Sequence, residues 1–462
     1  MARTRGKGLD WVIMSLFLSL VAIGVLMQYA TYYSPEASGN FNASTVFTRQ
    51  LLWVGISLVA FFMCLLIDWR IWNTFAYPIY GLAIFLLLVV IVFGTEVKGA
   101  KSWIQIASYS FQPSEFAKLA ACLGVANFMS TFKGDFRNRR VVFAAMGIAF
   151  LPAALILLQP DAGSALLFLS FLILFYIRGL SPIFYVIGFT LLMIFILSLI
   201  YSPQYVLLVS LCLIIGIFVG QMTQDIIGFL VGAFLIIGSF FVYNFTFYLP
   251  IIGALTVVSG VVYLVREKDL KLTVQLSSVL TTVALLAFST KYFVENLLPS
   301  HQQDRINVWL RPYLCDPRGS LYNLIQSKIA IGSGGMQGRG FLKGALTRFN
   351  YVPEQSTDFI FSVIGEEQGF IGAFSVIIIY AALIIKIVFV AERGQTSFIT
   401  NYAYAVVGFL LLHFFINIGM VMGLVPVIGI PLPFLSKGGT SLLVFSVMIG
   451  ALLKMDLARL NR

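Results

Sequence analysis

The chain has 462 residues, of which 60% are hydrophobic and only 11% charged, and its formal net charge is +11. A soluble domain of this length has no interior large enough for so much apolar surface, so a water-soluble enzyme is excluded. Nucleic acid is excluded as a partner too, because the cations sit mostly in short loops between apolar runs, where they set topology and meet anionic membrane lipids.

Repeated apolar runs of about 18–22 residues are long enough to cross a bilayer core of roughly 30 Å as helices. Backbone groups in lipid must pair internally, and the runs lack the alternation of a barrel, so the expected fold class is an all-α polytopic membrane protein. Fourteen spans are predicted, near 11–33, 47–67, 72–94, 114–131, 141–158, 163–178, 181–201, 204–222, 225–243, 248–266, 273–291, 359–391, 401–423 and 438–455, the fourth and sixth being short or interrupted. The first is long enough to span and is read as a helix, not as a cleaved leader. Arg3, Arg5 and Lys7, the group Lys133 to Arg140, Arg266 to Lys271, Arg393, and Lys454 to Arg462 then all fall on the cytoplasmic side, with both termini. Four cysteines (Cys64, Cys122, Cys212, Cys315) and two histidines (His301, His413) are spaced for neither a disulfide framework nor a zinc site.

Ionisable groups within spans are costly and mark interior cavities or partners. Glu115 and Lys118 stand three apart at the start of the fourth span, on one helix face, either as a structural ion pair or as substrate contacts. Asp161 follows Pro160 at the outer end of the fifth. The polar stretch 292–358 falls outside, yet holds Arg305, Arg311, Arg318, Lys328, Arg339, Lys343 and Arg348; so many external cations point to an anionic ligand. Apolar residues Leu321, Leu324, Ile325 and Ile329 predict a short helix on the membrane surface, and the glycines after it predict tight turns. Asp358 is predicted to open the next helix at the water–membrane boundary. Glu366 and Glu367 lie about two turns below it, and being adjacent they cannot both face it. His413 and Asn417, one turn apart, are able to hydrogen-bond across helices, as packing glue. Two prolines and two glycines forbid continuous helix from Gly429 to Ser441, which contains Ser436 and Lys437.

Five of these segments, in order, resemble the SEDS family (shape, elongation, division and sporulation): Phe111 to Lys118, Gln159 to Gly163, Gln326 to Gly335, Thr357 to Phe361 with Gly365 to Glu367, and Pro431 to Phe434 with Gly438 and Gly439. The run from Gln326 to Gly335 resembles the RodA branch. Departures are Ser356, where the family often has His, and Lys437, where an aromatic residue is usual.

The resemblance implies a ten-helix core over about 10–200 and 291–455, making 202–291 an inserted four-helix segment between the N-terminal helices (1–201) and the extracytoplasmic loop (292–358), with 359–462 closing the core. It implies a peptidoglycan glycosyltransferase of the bacterial inner membrane, acting in cell-wall elongation. Its substrate is lipid II and its partner a class B penicillin-binding protein. Asp358 matches the family's catalytic aspartate, a general base. Glu115, Lys118, Asp161, Arg339, Lys343, Glu366, Ser436 and Lys437 are the expected substrate contacts. The leaving diphosphate calls for cations or a divalent metal, magnesium or manganese, with unknown ligands, and no organic cofactor is implied. A lipid II flippase and a noncatalytic scaffold for the transpeptidase are the alternatives.

Overall fold

The computed structural model describes residues 8–33, 45–97, 99–106, 109–131, 138–210, 270–319 and 321–457. The chain divides into two compact units, Met1–Leu180 with Asp316–Arg462, and Ser181–Cys315.

In the first unit, Asp10 caps α1 (Trp11–Tyr32), its carboxylate accepting from the Ile13 amide. Then come α2 (Thr45–Leu66), α3 (Trp69–Thr74) and α4 (Ala76–Phe93). A three-stranded antiparallel sheet of β1 (Thr95–Val97), β2 (Ala100–Ile106) and β3 (Tyr109–Phe111) leads into α5 (Pro113–Thr131). After α6 (Arg139–Leu157), the predicted sixth span is broken: α7 (Ala162–Leu166), a 3₁₀ turn at Leu167–Ser170, and α8 (Phe171–Ile177).

The second unit holds α9 (Pro182–Ile200), α10 (Leu270–Tyr292) and α11 (Ser300–Leu310), with a small core of Ile194, Val206, Val283 and Ala287. Of the predicted insertion 202–291, residues 211–269 lie outside the described residues, and with them most of three expected spans. The chain returns to the first unit through α12 (Tyr322–Gly334), α13 (Ala345–Arg348), α14 (Ile360–Glu392), α15 (Ser397–Met422) and α16 (Gly439–Leu457).

Among the described residues, eight helices are long and apolar enough to cross a membrane: α1, Val46–Leu66 within α2, α4, α6, α9, α14, α15 and α16. Their apolar residues face outward as well as inward. Val59 on α2 and Phe85 and Val92 on α4 are exposed, as expected where lipid is the solvent. The charge-bearing α5 is interior, with most residues from Pro113 to Met129 buried, and packed against α4, α6, α15 and α16. Phe409 of α15 meets Phe168 and Phe171 edge-on at 5.5 and 5.3 Å, so the broken α7–α8 segment is seated on this inner helix.

The surface helix expected near 321–329 exists as α12 but does not lie free. Ser327, fully buried, donates to Val421 O at the end of α15, and α12 packs along α14. The predicted span 359–391 is also interrupted. Gly369 of α14 has φ 65° and ψ −161°, a conformation essentially restricted to glycine. The freed backbone groups are taken by the glycine-rich stretch after α12: Phe370 and Ile371 amides donate to Gly335 and Met336 carbonyls, while Arg339 and Gly340 amides donate to Glu366 and Glu367 carbonyls. Each such pairing matters, since an unpaired buried backbone group costs about 1–3 kcal/mol.

Candidate active site

Residues 353–359 form a turn around Glu354, whose φ is 55° and whose carbonyl accepts from the amides of Thr357, Asp358 and Phe359 at 3.1–3.2 Å. Asp358 is therefore not the first residue of the helix, as the sequence suggested. Its amide is committed to the turn, Phe359 is the N-cap, and α14 begins at Ile360. The side chain is half-buried, and its Oδ2 lies beside Gly429, where a Cβ would stand 3.2 Å away.

Gly429 belongs to the non-helical segment between α15 and α16, and side chains from several elements satisfy that segment's backbone. Asn417 of α15 donates through its amide nitrogen to Ile430 O at 2.8 Å and to Asp358 O at 2.9 Å. Gln28 of α1 donates to Leu435 O at 2.7 Å, and the buried Ser436 hydroxyl accepts from the Leu432 amide at 2.8 Å. Irregular backbone at membrane depth is tolerated only when it is satisfied in this way. Ser436 is thus placed as a turn-former.

His413, one turn before Asn417, joins this segment to the buried ion pair. Lys118 Nζ lies 2.7 Å from Glu115 Oε1 and 3.1 Å from His413 Nε2. An ammonium only donates, so Nε2 accepts and Nδ1 carries the proton, which it donates to Pro431 O at 3.0 Å. Lys118 is fully buried and also lies over the Phe445 ring at 5.6 Å. Glu115 and Lys118 are brought beneath the site and bonded to protein.

Asp161 caps α7, accepting from the Ser164 amide and hydroxyl at 3.0 and 2.8 Å. A Cβ on Gly163 would meet Ile428 at 2.9 Å and Asp161 Oδ1 at 3.7 Å, so Asp161 borders the same segment as Asp358. At the outer rim, Lys437 is half-exposed, its amide donates to Ser356 O at 2.7 Å, and its Nζ lies over the Tyr32 ring at 5.7 Å. Tyr32 in turn donates to the Ser356 hydroxyl at 3.0 Å. The two positions that depart from the family pattern are therefore neighbours.

Arg339 and Lys343 are exposed on the loop over α14. Glu366 faces that loop, accepting from the amides of Leu346 and Thr347 and from the Thr347 hydroxyl at 2.7–2.9 Å. Glu367 is buried beneath the same loop, against Gly344. The three donors on Glu366 cap α13 and leave it little capacity for a ligand. Sequence reasoning missed Tyr32 and Gln28, whose partners lie 324 and 407 positions away, and the approach of Gly429 to Asp358.

The arrangement offers a half-buried carboxylate at Asp358, exposed cations on the loop over α14, and a hydrogen-bonded floor. Among the described residues, no three histidine, cysteine, aspartate or glutamate side chains converge as metal ligands, so the side chains present do not form an all-protein metal cage.

The family profile for FtsW, RodA and SpoVE cell cycle proteins matches residues 10–216 and 249–460, leaving 217–248 unmatched. The peptidoglycan glycosyltransferase RodA of Treponema pallidum is 30% identical over 460 residues, covering 99% of this chain and 100% of the relative. The peptidoglycan glycosyltransferase MrdB of Escherichia coli K12 is 29% identical, over 95% of this chain and 93% of its own. Stage V sporulation protein E of Bacillus subtilis is 28% identical, with 98% of each chain covered. Among solved structures, a chain of a peptidoglycan synthase complex aligns with a TM-score of 0.64 at 21% identity, over 98% of both chains. The Thermus thermophilus rod shape determining protein RodA aligns at 0.54 and 21%, over 98% of this chain and 97% of its own. The order of motifs around Asp358, the fold and the near full-length match agree: this multi-pass bacterial membrane protein belongs to the FtsW/RodA/SpoVE family.

Proposed function

We propose that the chain is an inverting peptidoglycan glycosyltransferase that polymerises lipid II at the outer face of the cytoplasmic membrane. Asp358 takes the proton from the acceptor sugar hydroxyl. The oxygen attacks the anomeric carbon of the donor, the bond to the diphosphate breaks, and undecaprenyl diphosphate departs with the electron pair, converting an α linkage to β-1,4. The observation that carries this reading is the half-buried Asp358 carboxylate standing where the 353–359 turn and the 428–438 segment meet, with the 159–163 turn packed against the latter. The exposed Arg339 and Lys343, with the half-exposed Lys437 beside Ser356, are the cations assigned to meet the diphosphate as its charge develops. Any divalent cation arrives with the diphosphate, and no step here is routed through one.

The orientation, with both termini cytoplasmic, is supported by the ends of α1. Asp10 meets Arg393, which also pairs with Asp456, at one end, while Tyr32 at the other reaches Ser356 beside Asp358. The prenyl chain would lie among the exposed apolar side chains of the outer helices, in contact with membrane lipids. No transpeptidase serine motif is present, so cross-linking calls for a partner, and a class B penicillin-binding protein is the chemistry that fits.

The test is polymerisation of lipid II by the purified full-length protein in nanodiscs. Asp358→Asn is expected to abolish glycan chains while the thermal transition stays put, and wild-type polymerisation by that variant would end the reading. Lipid II translocation without chain growth in wild-type proteoliposomes would establish the flippase instead.

A further inference from the structure

We propose that His413 and Asn417 are positioning residues for Asp358, and that the buried Glu115–Lys118 pair acts on the reaction through them; this rests on the polymerase reading above. Both side chains project from one face of α15, one turn apart. Asn417 Nδ2 holds two carbonyls, Asp358 O at 2.9 Å and Ile430 O at 2.8 Å, so the base's own peptide and the segment opposite it are tied to a single amide group. Only nitrogen can serve two carbonyls, which settles the orientation of the amide. His413 Nδ1–H holds the next carbonyl, Pro431 O. Lys118, donating to Nε2, excludes the other neutral tautomer, in which Nδ1 would face a carbonyl as an acceptor. Glu115 in turn fixes the ammonium.

The result is a line from the buried ion pair through His413 and the 430–431 backbone to Asn417 and the backbone carbonyl of Asp358. Its product is a position: Gly429 is held so that a Cβ on it would stand 3.2 Å from Asp358 Oδ2, closer than side-chain carbons ordinarily approach. Freeing either carbonyl lets residues 429–431 relax toward or away from the base. A displacement of about 1 Å at a catalytic group is enough to lower turnover about a hundredfold.

The measurement is steady-state polymerisation of fluorescent lipid II by full-length variants in nanodiscs, alongside thermal unfolding. Asn417→Asp keeps the shape but replaces donors with acceptors, and His413→Leu removes the donor. Each is expected to lower kcat about ten- to a hundredfold with KM within about twofold of wild type. His413→Asn, which restores an N–H near the Nδ1 position, is expected to recover most of kcat, and Lys118→Met is expected to mimic His413→Leu. Wild-type kcat in Asn417→Asp, a rise in KM in place of the fall in kcat, or equal losses in His413→Asn and His413→Leu would each overturn the proposal. Asp358→Asn is run in parallel: if it stays active, the base assignment falls, whatever the His413 series shows.

Discussion

At Gly429 the backbone takes a φ of 82°, in the left-handed region, and a side chain there would crowd Asp358 Oδ2 at 3.2 Å. Gly429→Ala therefore carries two penalties. The conformation costs an L-residue about 1–2 kcal/mol, and the methyl enters the space beside the carboxylate. We expect a lowered melting temperature and a fall in polymerisation larger than the loss of folded protein explains, read from thermal unfolding and lipid II turnover on the same preparation. Single residues were legible where spacing is local. Glu115 and Lys118, three apart, do pair as their helix face predicts. His413 and Asn417 were legible as hydrogen-bonding groups, but not by partner, because the carbonyls they hold belong to broken backbone that carries no periodicity. Tyr32 reaches Ser356 across 324 positions and Gln28 reaches Leu435 across 407, contacts that only the folded chain defines.

Elements were legible as far as apolar length dictates them. The spans α1, α2, α6, α9, α15 and α16 stand within a few residues of expectation. What the pattern hid is interruption. Hydropathy runs unbroken through Gly369, yet the helix breaks there because the loop after α12 supplies the pairing its backbone loses. The polar helix α11 and the small sheet 95–111 were missed because neither has a long apolar face. Gly338 tests the interlock: its φ is 82°, and a Cβ there would fall 2.1 Å from Glu367 O. Gly338→Ala is expected to unseat the 335–347 loop, seen as new protease cleavage between Arg339 and Arg348 and as lower thermal stability, while α15 and α16 remain protected from hydrogen exchange.

Across the molecule, the end of the first unit where α1 begins is closed by Arg393, which pairs with Asp10 at 2.7 Å and with Asp456 at 2.6 Å. Burial by itself raises the Asp10 carboxyl, but the hydrogen bonds from Arg393 and the Ile13 amide and the charges of Arg393 and Lys386 outweigh it, leaving it below the ordinary 3.8. A lowered carboxyl stabilises the fold above its unfolded value and ceases to do so as pH falls through its folded value. The Asp10 contribution is thus present at pH 7 and lost on acidification below about pH 4. Arg393→Ala is expected to cost about 1–3 kcal/mol at pH 7, less than a fully buried pair because the guanidinium side chain stays 30% exposed. The variant's melting temperature should also fall less than wild type's between pH 5 and pH 3.5.

Arg393 also ties the beginning of the chain to its end. Asp10 waits 383 positions for its cation, and the helix it caps then packs against a segment made later still. At roughly 5–20 residues per second, synthesis leaves the first inserted helix without its final neighbours for roughly 20–80 s. A chain stopped before residue 393 leaves the Asp10 carboxylate without that guanidinium and the start of α1 unlatched.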